Sequence, residues 1–289
     1  MAYLRWSVSG QAANKGRIVL CQSHMLRFQK RVGDAVYERM RHAVDSMATE
    51  RLLKSEGLHG RFIGGTSLLK ELLTVRAVVH RPLESLIDVG AHQGTFASAA
   101  DAIFNFKSIV CVEPDQDLLP MLRSAVRNPS KAIYNTALSD RAGTQQFHVL
   151  EDRRMSSLLA PDPQVLREKF PKCKGTQVAR PMVSTMTLDE LVQGEPLVQG
   201  RRLLLKLDTQ GNELAILRKG TAALAQTGAC LVEFMFTTPY ERVFTFRELI
   251  DFMDDHGFVC IAVTDVMRRP THEISGTNFL FVPTSRTLA

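Results

Sequence analysis

Asp88-Val-Gly-Ala-His-Gln-Gly94 stands between an apolar run and a helical pattern and has the make-up of a ligand-binding turn. Gly90 and Gly94 let the backbone turn tightly and approach a bound molecule closely. The nicotinamide dinucleotide fingerprint is G-x-G-x-x-G, whose glycines admit a pyrophosphate and allow close helix packing. Here the spacing is G-x-x-x-G, and the middle glycine is missing. D-x-G-x-x-x-G suits a nucleoside cofactor without phosphates, such as S-adenosyl-L-methionine. His92 sits inside this turn, placed to touch the carboxylate of such a cofactor. An ordinary strand-to-helix turn would share these features, so the motif needs support from elsewhere.

Two further stretches supply it. Glu113-Pro114 ends the next apolar run, where a carboxylate can accept from both hydroxyls of a ribose. Lys206-Leu-Asp-Thr-Gln-Gly-Asn-Glu213 ends a later one. Lys206 and Asp208 alternate with Leu205 and Leu207 and therefore share one side of a strand. A charged pair on so apolar a strand is costly unless paired or functional. Glu213 reads as structural, in a first helical turn where the dipole favours a carboxylate.

The elements around these residues alternate strand and helix. Strands are expected at Ser85–Val89, Ser108–Val112, Ala132–Leu138, Arg202–Asp208 and Cys230–Phe234. Helices are expected at Thr95–Phe104, Leu118–Val126, Glu213–Leu224 and Phe246–His256. Thr187 offers a good N-cap, and Thr144–Leu150 reads as an extra hairpin arm. Phe258–Val263 and Asn278–Val282 are close enough in sequence to be antiparallel neighbours. Such alternation implies a parallel sheet covered by helices on both faces. Ligands then bind at the C-terminal ends of the strands, beside the switch point. Upstream, Val36, Met40, Val44, Ala48 and Leu52 recur at helical spacing. Ser67 can cap a further helix that carries Leu68, Leu69, Leu72 and Leu73 and ends by Arg81-Pro82.

The domain reading is a basic leader over 1–33, a helical extension over 34–82 and a cofactor-binding domain over 83–289. The net charge of +6 sits in the leader, which has Arg5, Lys15, Arg17, Arg27, Lys30 and Arg31 and no acid before Asp34. The rest is balanced, which argues against nucleic acid as a partner. No run approaches the roughly 18–20 apolar residues of a membrane span. The five cysteines form no C-x-x-C pair, so no metal site is indicated, and Cys111 and Cys230 read as buried small hydrophobes. This usage fits a reducing, cytoplasmic location.

These blocks, with Ala137-Leu-Ser-Asp140, Gly143, Ser156-Ser-Leu158, Thr187-Leu-Asp189 and Glu233, stand in the order seen in FkbM-type methyltransferases. The sequence resembles that family from about Ser85 to Val282. The resemblance implies a Rossmann-like class I methyltransferase: an α/β fold whose seven-stranded, mostly parallel sheet has an antiparallel last strand. It implies S-adenosyl-L-methionine as methyl donor and a hydroxyl acceptor, often on sugars or polyketide-type natural products. By position it implies that Asp88, Gly90, Ala91 and Gly94 line the methionine and ribose part and that Glu113 holds the ribose hydroxyls. Ser139 and Asp140 would flank the adenine, and Asp208 would lie near the transferred methyl. Gln210 stands where many members carry Glu, which argues against a metal held by Asp208 and a neighbouring acid.

A hydroxyl acceptor must lose a proton, and a carboxylate within hydrogen-bond reach can take it. Asp208 is the first choice and Glu233, ending the fifth strand, the second; His148 and His272 read as surface residues. The long polar stretch Glu151–Arg180 is expected to cover the acceptor site. The expected activity is O-methylation of a sugar, glycan or secondary metabolite. The competing readings are an NAD(P)-dependent dehydrogenase, disfavoured by the missing glycine, and a non-catalytic S-adenosylmethionine-binding protein.

Overall fold

Strands buried on both faces must be apolar throughout, and this requirement makes the central strands readable. The computed structural model describes residues 47–54, 65–170, 176–241, 243–268 and 272–284. The chain divides into a unit of residues 1–50, described only at 47–50 where it is helical, and a unit of 51–289. Everything below concerns the second.

The main sheet begins with β1 (Ser85–Val89), β2 (Ser108–Val112) and β3 (Lys131–Tyr134). Then come β4 (Ala137–Leu138), β5 (Gly143–Gln146), β6 (Val149–Leu150), β7 (Gln177–Ala179) and β8 (Met182–Met186), which lie in two small sheets. The main sheet resumes with β9 (Leu203–Leu207), β10 (Thr227–Met235), β11 (Phe258–Arg268) and β12 (Ile274–Pro283). Its order is β3-β2-β1-β9-β10-β12-β11. β3, β2, β1, β9 and β10 are parallel, and β12 lies antiparallel between β10 and β11. The helices are α1 (Thr66–Val78), α2 (Thr95–Phe104), α3 (Leu119–Ala125), α4 (Pro163–Lys169), α5 (Leu188–Gly194), α6 (Glu213–Leu217), α7 (Thr221–Gln226) and α8 (Phe246–Asp255).

Alternate residues of each strand feed two cores. Ile87, Val110, Leu205 and Val232 pack with Leu191 of α5, Leu214 of α6 and Leu249 of α8. Leu86, Ile109, Leu204 and Leu231 pack on the other face with Leu72 of α1, Ala100 of α2 and Leu122 of α3. This is the expected doubly covered sheet with its antiparallel last strand. Cys111 and Cys230 are buried within it, as read. Among the described residues no helix is long and apolar enough to cross a membrane.

Four local expectations need correction. The strand expected at Ala132–Leu138 breaks after Tyr134, where the Asn135 amide turns back to donate to the Glu113 and Pro114 carbonyls. Its second half becomes β4, which pairs parallel with β8. Thr144–Leu150 forms no local hairpin, because β5 pairs with β8 and β6 with β7, partners that lie more than 25 residues downstream. The helix expected over Glu213–Leu224 splits into α6 and α7 at Gly220, where a Cβ would lie 2.5 Å from Leu188 Cδ2. Ser67 is no cap: α1 starts at Thr66 behind Gly65, and the Ser67 hydroxyl donates to Asp265 instead, at 2.5 Å.

Residues 1–33 lie outside the described residues. Among the described residues, both cores draw on residues from Leu52 onward. A chain lacking residues 1–33 is therefore expected to keep one cooperative melting transition within a few degrees of the full chain. Aggregation, or loss of that transition in calorimetry, would show that the leader is structural.

Candidate active site

The C-terminal tips of β1, β2, β9 and β10 open onto a cavity of about 590 Å3. Asp88 lies in its wall at the tip of β1, 1% exposed. The Ala97 backbone N–H donates to it, yet its Oδ2 has no partner among the described residues. A buried acceptor left unsatisfied costs about 1–3 kcal/mol, so this oxygen marks a place where a donor fits. Burial raises Asp88 to about 6, against the pull of Lys206.

The turn that follows is tied down on three sides. The Gly90 and Ala91 amides donate to the Val112 carbonyl at 3.0 and 3.1 Å, clamping the turn to β2. Gly90 has φ +78°, and a Cβ there would lie 1.9 Å from the Asp208 carbonyl oxygen, so only glycine lets the tips of β1 and β9 meet. The His92 amide donates to Glu113 Oε2 at 2.7 Å, and the Asp115 amide to Oε1 at 2.8 Å. Each Glu113 oxygen keeps a second lone pair, enough for two hydroxyls. Burial pushes Glu113 up to about 7. It likewise holds His92 below the ordinary imidazole value, with Arg154 acting in the same direction.

Across the cavity, Lys206 Nζ donates to Asp208 Oδ2 at 2.8 Å. Gln210 Nε2 donates to Asp208 Oδ1 at 3.2 Å and to Glu233 Oε2 at 2.6 Å, joining the tips of β9 and β10. Gln210 is held in the left-handed region at φ +59°, and its carbonyl accepts from Ser157 Oγ at 3.0 Å. Burial acts to raise Asp208, but the Lys206 ammonium outweighs it and holds Asp208 below the usual carboxylate range. Glu233 goes the other way: burial, then the charge of Asp208, lifts it well above that range. Of the two, Glu233 holds a proton in preference to Asp208. Lys206 Nζ also sits 5.1 Å from the Phe96 ring centroid. Burial works against its charge, but Asp208, Asp88 and Glu71 prevail and raise it. Glu71 reaches in from α1 and accepts from Thr264 Oγ1 at 2.6 Å and Asn278 Nδ2 at 2.7 Å.

Of the residues singled out from the sequence, Asp88, Gly90, Ala91, His92, Glu113, Asp208 and Glu233 line this one cavity. Gly94 does not: its Cβ would meet Leu122 Cδ1 at 2.9 Å, so it serves close packing against α3. Ser139 and Asp140 also stand outside the wall. Ser139 Oγ is taken by Gln145 Nε2 at 2.8 Å, and Asp140 is exposed, while Ala137 and Leu138 line the cavity in their place. Glu213 closes the β9 turn, accepting from the amides of Thr209 at 2.7 Å and Gly211 at 3.0 Å. His148 is buried against Gln177 rather than on the surface, and His272 is exposed.

Sequence reasoning named Gln210 only as a departure and passed over Glu71, which sits among helical leucines; a lone acid there was the available signal. It also left the segment after Glu151 as a loop. That segment lays Asp152, Arg153, Arg154, Met155 and Leu158 along the cavity. Arg153 fastens it to Asp115 and Asp117, and the Tyr240 hydroxyl fastens it by donating to the Met155 carbonyl at 2.6 Å.

A glycine turn after the first strand, an acid at the tip of the second and carboxylates beyond the switch point define a Rossmann-like methyltransferase. The chain belongs to the FkbM family: the Methyltransferase FkbM domain matches residues 88–260, well over half of it. Its methyl donor is S-adenosyl-L-methionine. The chain is similar to a SAM-dependent methyltransferase from Anabaena variabilis, with 9% identity over 75% of this chain and 84% of that one and a TM-score of 0.42. It is similar also to the precorrin-6y C5,15-methyltransferase of Geobacter metallireducens, with 11% identity over 75% and 88% and a TM-score of 0.37. For M. capricolum TrmK in complex with S-adenosyl-homocysteine the figures are 7%, 74% and 68%, with a TM-score of 0.38. The search of curated proteins found no match.

The raised carboxyls make stability depend on pH. Glu113 and Glu213 ionise near 4.5 when unfolded and at about 7 when folded, and Asp88 moves from 3.8 to about 6. Between these values the folded chain binds more protons, so their contribution is complete at the acid end and is lost as pH rises through 6 to 7. For Glu113 alone, at about 1.4 kcal/mol per pH unit of displacement, this amounts to about 3 kcal/mol. Asp208, displaced downward, opposes this only at acid pH. The ligand-free protein is expected to melt lower at pH 8 than at pH 5.5; a flat or rising profile in scanning calorimetry would contradict this.

Proposed function

We propose that this methyltransferase acts on a hydroxyl of an uncharged, polyhydroxylated acceptor: a sugar, a glycan or a hydroxylated secondary metabolite. The observation that carries the reading is the ionised Asp208 carboxylate at the cavity wall, with Glu233 bridged to it by Gln210. When bound, S-adenosylmethionine supplies a methyl group already activated on a sulfonium. The orphaned Asp88 Oδ2, the close-packed Gly90 turn and the two free lone pairs of Glu113 fit its amino acid and ribose parts. His92, Ala91, Ala137 and Leu138 complete that side of the cavity.

The protein's own work is to hold the acceptor in line and remove its proton, and orientation is worth up to about 7–11 kcal/mol. Asp208 Oδ1 takes the hydroxyl proton, while Lys206 keeps Oδ2 occupied and the residue anionic. Glu233, which holds a proton more readily than Asp208, faces the same space. The acceptor side is lined by Glu71, Asp208, Glu233 and Asp265. The three basic side chains in the wall, Lys206, Arg153 and Arg154, are each paired with a carboxylate. A phosphate backbone needs unpaired cations, so this wall disfavours a nucleic acid acceptor.

Incubation with methyl-labelled S-adenosylmethionine and a panel of neutral glycosides, polyols and RNA tests the reading. Label is expected in a base-stable methyl ether of a neutral acceptor. Label in RNA alone would overturn the acceptor class, and no transfer beside tight cofactor binding would favour a non-catalytic protein.

A further inference from the structure

A second cavity, of about 790 Å3, lies on the opposite edge of the sheet. Glu84 precedes β1 there, Lys107 precedes β2, Arg201 and Arg202 precede β9 and Gln226 precedes β10. Strands of five residues rising about 3.3 Å each separate it from the methyl-transfer cavity by about 16 Å. Its charged lining is Arg81, Lys107, Arg201 and Arg202 against Glu84 alone, a formal excess of three positive charges. Glu84 holds one donor on each oxygen: Oε1 accepts from Lys107 Nζ at 2.6 Å and Oε2 from the Arg202 backbone N–H at 3.1 Å, and the charge of Arg201 also acts on it. Glu84, the one described carboxylate in the wall, cannot neutralise three guanidinium groups and an ammonium.

Arg202 is set into this wall by design of the backbone. β10 bulges between Thr227 and Ala229, and a Cβ on Gly228 would lie 2.5 Å from Arg202 Nε and 2.9 Å from its Cγ. The guanidinium stem occupies the space a side chain would take, and its buried Nε has no partner among the described residues. Burial, and then the charge of Arg81, make Arg202 harder to keep protonated. Like charges brought together in a partly buried cavity are costly unless an anion sits between them. The C-terminal ends of α2 and α7 reach the wall at Asn105 and Gln226. Each contributes at most about half a negative charge, which leaves most of the excess uncompensated.

We propose that this cavity is a binding site for a small, soluble, phosphate-bearing anion, gripped by Arg81, Arg201 and Arg202. Planar guanidinium forks match phosphate oxygens in pairs, which point-charge lysines do not. The concave wall suits a free phosphate compound better than a headgroup held in a membrane. The site is separate from methyl transfer and stands whether or not the acceptor proposed above is right.

Isothermal titration of the full chain with inorganic pyrophosphate at low salt tests it. Saturable binding at one site is expected. Arg202→Gln and the exposed Arg81→Gln are each expected to weaken it about tenfold or more, as loss of a charge-assisted contact implies. The melting curve identifies any variant that fails to fold, and Arg81→Gln, at the surface, keeps the test open if Arg202→Gln does. Arg123→Gln on α3, an exposed arginine outside this cavity, is expected to bind like the parent. No saturable binding, retained affinity in a folded Arg81→Gln variant, or an equal loss in Arg123→Gln would overturn the proposal. Capture by phosphatidylserine vesicles without pyrophosphate binding would overturn it as well.

Discussion

Asp208→Asn is expected to abolish methyl transfer, by about 10²- to 10⁴-fold, the range general-base catalysis supplies, while S-adenosylmethionine still binds. The substitution keeps the shape of the side chain. An amide oxygen can still accept from Lys206 Nζ, and the new NH2 can turn toward Glu233, whose carboxyl is no longer pushed up by the charge of Asp208. What is lost is a carboxylate able to take a proton at Oδ1, where only the long 3.2 Å bond from Gln210 now competes. Single-turnover rates with saturating cofactor, set beside calorimetric cofactor affinity, separate the two effects. A rate within tenfold of the parent would remove Asp208 as the base and pass the role to Glu233.

Glu113→Ala is expected to weaken S-adenosylmethionine binding by at least about a hundredfold, as the loss of two charge-assisted hydrogen bonds implies. The damage exceeds those bonds. Glu113 also anchors the His92 and Asp115 amides, which shape the turn and the segment that Arg153 grips. Glu113→Gln separates these contributions, because its remaining oxygen can still hold one amide. Affinity is expected to fall in the order parent, Gln, Ala. Unchanged affinity in the alanine variant by titration calorimetry would dismiss the ribose role.

The main sheet was legible because its parallel strands are covered on both faces. Ser85–Val89 and Ser108–Val112 are buried at every position and read as apolar runs at the bounds they have in the structure. The small sheets were not legible. β5 and β8 are short, β5 is largely exposed, their pairing spans some 40 residues, and nothing local in Thr144–Leu150 names its partner. The meeting of Asp88, Gly90 and Glu113 at one cavity followed from glycine and acid spacing, since Gly90 is demanded by backbone contact. Ser139 and Asp140 were misplaced because the break after Tyr134 carries that turn into another sheet. Glu71 was missed because its meetings with Asn278 and Lys206 depend on sheet order, which residue spacing does not encode. The balanced charge of the main domain hid the cationic edge for the same reason: a count of charges says nothing of where strands place them.

The position of β12 between β10 and β11 has a consequence for synthesis on the ribosome. Domains begin to organise while the chain is still emerging, N-terminal parts first. β1, β2 and β3 can pair early, but β10 and β11 stay apart until residues 274–283 have left the exit tunnel and slid between them. Asn278 and Gly276, which line the active cavity, arrive with that same strand. A nascent chain can thus bring together the tips of β1 and β2 well before β12 completes the cavity wall. Until then β10 presents an open apolar edge, and a stall in translation at that stage would leave it exposed to pairing with a neighbouring chain.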